Sequence, residues 1–118
     1  MRFVGFVAIA GLLFGVAAHA QTGKYAEAVR KAKTALTRDF KDPDSAKFRD
    51  LGIYKSTTGK GGVSVCGEVN AKNSYGAYAG FRRFVVSGDM SYLDDEENRG
   101  IFAVLGPALC HELVTPVR

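Results

Sequence analysis

The residues best suited to chemistry or recognition crowd into one stretch, 66–84, CGEVNAKNSYGAYAGFRRF, which holds a cysteine, a carboxylate, two asparagines, two arginines and four aromatic rings. Glu68 is the natural general acid or base there. It sits two residues from Cys66 in an alternating segment, where partial burial would raise its pKa. Outside the stretch, His111 and Glu112 are the other proton-transfer candidates, with Tyr75 or Tyr78 as hydrogen donors. No serine lies in a nucleophile elbow, and no second carboxylate is placed by spacing to work with Glu68. The alternative for Glu68 is an ion pair with Arg82 or Arg83 across a hairpin. Glu68 together with Asn70, Asn73, Tyr75, Tyr78 and Arg82 offers a different chemistry, that of a contact surface, because tyrosines beside amides and a guanidinium give broad contact at low entropic cost. The same residues equally fit a hairpin turn whose rings are half-buried in a sheet.

Other site chemistries fail on their spacing. Cys110 next to His111 resembles a thiol–imidazole pair, but neighbouring side chains diverge in both helix and strand. Gly59-Lys60-Gly61 lacks the leading glycine and the trailing Ser or Thr of a phosphate loop. Asp94-Asp95-Glu96-Glu97 lacks the alternate spacing of a calcium loop and reads as solvated. With one histidine beyond residue 20 and both cysteines better used elsewhere, no metal or other cofactor is expected.

Compartment follows from the N-terminus. Residues 3–18 carry no charge, follow Arg2 and lead into Ala18-His19-Ala20, the pattern of a signal peptide cleaved after Ala20. Sixteen apolar residues fall short of the roughly 20 that span a bilayer. The expected organisation is a leader over 1–20 and one domain over 21–118, periplasmic or secreted, with no stable membrane anchor after cleavage. Loss of Arg2 leaves fifteen basic residues against twelve acids, net +3 over 98 residues, and no basic stripe of a nucleic-acid binder. In an oxidising compartment Cys66 and Cys110 are expected to pair, closing a loop that chain entropy values at about 4 kcal/mol.

The elements that position these groups read as follows. Tyr25, Val29, Ala32, Leu36 and Phe40 lie on one face of a helix over 24–40. Asp42 is a candidate N-cap, with Pro43 opening a short helical turn. A strand over 47–55 would place Arg49, Leu51 and Ile53 opposite Phe48, Asp50 and Tyr54. Val63, Val65, Gly67 and Val69 alternate with Ser64, Cys66, Glu68 and Asn70 in a second strand, whose cysteine face must be covered at one end. A turn over 70–76 leads to a third strand over 77–86, with aromatics on both faces or a bulge near Gly80. After a turn at 87–89 come a short segment, 90–93, an acidic loop, an apolar strand over 101–105 and a break at Gly106-Pro107. The tail, 108–114, is a helical turn or a last strand. The fold class is α+β, an N-terminal amphipathic helix packed on an antiparallel sheet of about four strands with one disulfide.

Asp42-Pro43-Asp44-Ser45-Ala46-Lys47-Phe48-Arg49, then Val65-Cys66-Gly67-Glu68-Val69-Asn70-Ala71-Lys72-Asn73-Ser74-Tyr75-Gly76 and Tyr78, Gly80-Phe81 and Phe84, resembles a group of small exported bacterial proteins of unknown function. The likeness covers about half of the mature chain and implies a periplasmic home, but no activity, cofactor or catalytic residue. This chain lacks the lipobox cysteine of the lipid-anchored members. The functional expectation is a binding protein, not an enzyme, that meets an envelope protein or glycan through 66–84. The alternatives are an inhibitor of a cell-wall-degrading enzyme such as lysozyme, and a small hydrolase using Glu68 and His111.

Overall fold

The computed structural model describes residues 16–56 and 62–118. Most of the expected leader and the loop around Lys60 lie outside the described residues. Helix α1, Val16–Thr37, carries the expected stripe: Val29, Ala32 and Leu36 are buried, and Tyr25 and Ala35 pack beside them. It stops three residues before the pattern does, because the chain turns back with the Phe40 N–H donating to the Thr37 carbonyl. Phe40 still reaches the core from that turn. A 3₁₀ turn, Pro43–Ser45, follows with proline at its start. Asp42 caps it through its main-chain carbonyl, which accepts from the Ser45 N–H and Oγ, and not through its carboxylate.

Five antiparallel strands form one sheet in the order β4-β3-β2-β1-β5: β1 Lys47–Lys55, β2 Val63–Asn70, β3 Arg82–Ser87, β4 Met90–Leu93 and β5 Leu113–Pro116. The first two match the expected strands, and the fifth resolves the ambiguous tail. The fold class is α+β as expected, with one strand more.

Three expectations are corrected. In β1, three steps from Arg49 to Gly52 face two steps from Glu68 to Cys66, so one residue bulges out, and Asp50 takes a left-handed φ of 54°. The bulge flips the alternation. Phe48 therefore joins Ile53 on the α1 face, its ring edge-on to Phe84 at 5.9 Å, while Tyr54 faces the other way. The third strand starts at Arg82 and not at 77, since residues 71–81 fold into a loop of their own. The 101–105 run is no strand: it lies within helix α2, Arg99–Leu109. A continuous apolar run has no period to separate strand from helix, and here Phe102, Gly106 and Leu109 supply an inward helical face. Pro107 lacks an N–H for the last turn, and the helix ends two residues later.

The sheet is thus covered on both sides. Against α1 lie Ile53, Val65, Val69, Phe84 and Val86. Against α2 lie Cys66 and Val85, with Phe102 and Leu109 above them and Tyr54, Met90 and Tyr92 at the margin. The Cys66–Cys110 disulfide ties the end of α2 to the centre of β2, Cα atoms 6.1 Å apart.

Candidate functional site

The 66–84 stretch divides between two places, an exposed loop at one end of the sheet and a cleft beneath α2. The loop, 71–81, is built by its asparagines. Asn73 Oδ1 accepts from the Tyr75 and Ala77 N–H groups, at 2.9 and 3.2 Å, and its main chain closes the turn through Ala77 and Gly76. Asn70 Oδ1 accepts from the Gly80 N–H at 3.0 Å. Gly80 has φ of 102°, a conformation closed to ordinary side chains, and this lets the chain leave the loop for β3. Tyr78 pairs with Lys72 in an isolated bridge and donates its hydroxyl to the Ser45 carbonyl at 3.1 Å, while Ser45 Oγ accepts from the Lys72 N–H at 2.9 Å. The loop is therefore pinned to the 3₁₀ turn.

Two ammonium groups meet the pinned ring. Lys47 Nζ lies 4.6 Å from the Tyr78 centroid and Lys72 Nζ 5.6 Å from it. Arg49 stacks on Phe81 at 3.8 Å, and its Nε donates to Glu68 Oε2 at 2.6 Å. Tyr75 is the contrast, since its side chain stands at the tip with 95 % of the residue exposed.

Glu68 corrects two expectations. It pairs back to Arg49 on β1 and not forward to Arg82 or Arg83; Arg83 stands opposite it in the register but holds Asp94 at 2.7 Å. Its carboxyl is not pushed up by burial. The Arg49 hydrogen bond holds it below the ordinary carboxylate range, with burial as a weaker opposing effect and Asp50 and Arg83 adding to the lowering.

The cleft beneath α2 holds about 580 Å³. Gly67 and Glu68 floor it, Asp50 and Tyr54 wall it from β1, and Phe102, Gly106 and Cys110 wall it from α2. Gly106 lets the helix pass close to its own aromatic wall, since a Cβ there would sit 3.0 Å from the Phe102 ring and that ring would have to shift. The Arg83 guanidinium lies 5.2 Å from the centroid of that ring. His111 is exposed and does not line the cleft, so the fold does not place it beside Glu68 there. Among the described residues no cluster of three potential metal ligands occurs.

Asn70, Asn73, Tyr75, Tyr78 and Arg82 thus lie in or beside the 71–81 loop. The fold gives the asparagines and Tyr78 internal work and leaves Tyr75 and Arg82 outward. Lys47 and Lys72 escaped the sequence reading. Both stand in the quoted motifs, but only the β1–β2 register, with Lys47 opposite Asn70, shows that they converge. Comparison with protein-family models, curated proteins and solved structures finds no match for this chain.

Proposed function

We propose that this is a small exported binding protein that meets its partner, an envelope protein or glycan, through the 70–82 loop. One observation carries the reading: Tyr75 projects almost wholly into solvent from a loop whose shape is held by the Asn70 and Asn73 side-chain oxygens and the Tyr78 hydroxyl. A fixed backbone presenting an exposed ring binds without the cost of ordering a flexible loop. The disulfide supports an oxidising compartment, and among the described residues no helix is long and apolar enough to cross a membrane.

The mature, oxidised protein on a support should retain a component of its native envelope. Replacing Tyr75 and Arg82 together by Ala should remove that capture while leaving the melting temperature nearly unchanged, because neither side chain is buried. Undiminished capture by the double variant would end the proposal.

A further inference from the structure

The cleft beneath α2 carries a charge that its own ion pairs do not cancel. We infer that it is a second binding site, separate from the 71–81 loop, for an organic cation: an amine carried on a small apolar body.

Asp50 supplies the charge. It stands in the β1 bulge, a device that re-aims a side chain, and lines the cleft beside Glu68, close enough for the two carboxyl groups to act on one another. Arg49 pairs with Glu68 and Arg83 with Asp94, whereas Asp50 makes no ion pair among the described residues. Three acids thus face two guanidiniums, and one negative charge is left over. Within the Arg49–Glu68 pair the acid is the less exposed side chain, 26 % against 52 %, so solvent and salt screen the carboxylate less than its partner. Arg83 also lines the cleft, but its guanidinium is 67 % exposed and is held by Asp94 at 2.7 Å. The uncancelled field at the floor of the cleft therefore favours a positive ligand.

The walls suit an apolar body behind that positive group. Tyr54 lines the cleft from β1 and Phe102 from α2, and aromatic rings attract a cation through their π electrons. Gly52 lets the Tyr54 ring lie against the strand, since a Cβ there would meet the ring edge at 2.7 Å. The Cys66–Cys110 disulfide borders the same space. A volume of about 580 Å³ falls within the roughly 300–1,000 Å³ of small-molecule sites. A metal ion would want more oxygen ligands than Asp50 and Glu68 provide. The amine can come from a free small molecule or from a basic side chain of another protein.

The test is titration of the mature, oxidised protein with benzylamine, with benzyl alcohol as its neutral counterpart, and with acetyl-Gly-Lys-Gly-amide, followed by amide shifts and by affinity. Benzylamine should bind about fivefold more tightly than the alcohol, lose affinity as salt rises, and shift residues near 50–54, 66–68 and 102–110. Binding of the peptide at the same residues would assign the site to a partner's lysine; binding of benzylamine alone would assign it to a free amine. Asp50→Asn removes the charge with a residue equally at home in the left-handed region, and should weaken benzylamine about fivefold. Asp44→Asn, on the 3₁₀ turn, should stay within about twofold. No binding, equal binding of the alcohol, shifts elsewhere, or undiminished binding by Asp50→Asn would each overturn the inference. The first three are read on the unaltered protein and do not depend on the variant's folding. Neither Tyr75 nor Arg82 lines the cleft, so failure here would leave the loop reading standing, and failure of envelope capture would leave this one.

Discussion

The two faces of the sheet are covered by different means. Toward α1 lies a broad cluster, Val29, Ala32, Leu36, Ile53, Val65, Val69, Phe84 and Val86, with no covalent link across it. Toward α2 the buried apolar cluster among the described residues is smaller, Cys66, Val85, Phe102 and Leu109, an open cleft lies alongside, and a disulfide crosses the interface. Burial stabilises by about 25 cal/mol per Å² of apolar surface, so an eleven-residue helix over a small cluster is weakly held by packing alone. A small domain has little core to spare, and the staple stands where the core is thinnest. The outer side of α2, with Val104 70 % exposed and Ile101 also outward, adds nothing to its own anchoring.

Deleting an aromatic ring from each face would break this contrast or confirm it. Phe84→Ala, at 1 % exposure in the larger cluster, should cost about 4–5 kcal/mol in denaturant unfolding, whereas Phe102→Ala, beside a cleft that can relax, should cost about 3 kcal/mol. Equal costs would mean that the faces are equally packed.

Removing the staple comes next. Cys66→Ser with Cys110→Ser should lose about 2–4 kcal/mol, and amide exchange should quicken over α2 and β5 well before it does over α1 and the inner strands. Uniform loss of protection would make the α2 side an integral part of the cooperative core.

The smallest effect concerns acid. The Glu68 carboxyl is held low in the folded protein, so its stabilising contribution is complete above the unfolded value of about 4.3 and disappears as pH falls through the lower folded value. Glu68→Gln should shrink the fall in melting temperature between about pH 6 and about pH 3, leaving a residual slope to which Glu27, also lowered by Arg30, contributes with the same sign. An unchanged slope would show that the Arg49 pair is absent in solution.

How much of this was legible depends on the range of the interaction responsible. The α1 stripe, both ends of β1 and β2, and the tight turn after β3 follow from the order of side chains along the chain, since each is a repeat of 3.6 or 2 or a local backbone preference. The loop was half legible: Asn70 and Asn73 announce a turn and Gly80 an irregularity in the strand after it, but nothing local says that the turn extends to Phe81 and delays β3. Asp50 tolerates a left-handed φ, yet so do many aspartates that never adopt it, and the bulge it marks decides which way Phe48 and Tyr54 point. The 101–105 run was misread because β-branched and apolar content favours a strand while only the sheet beneath demands a helix.

By its own order of residues the chain determined a helix followed by strands with alternating faces, and only two cysteines able to pair. Those are properties of neighbours, or of a choice with one solution. Tertiary structure alone decided that Glu68 turns to Arg49, that Lys47 and Lys72 converge on Tyr78, and that the cysteine face is roofed by a helix. The first two depend on the pairing of β1 with β2 and the third on where a helix distant in sequence comes to rest, and a shift of one residue would exchange the two faces of a strand.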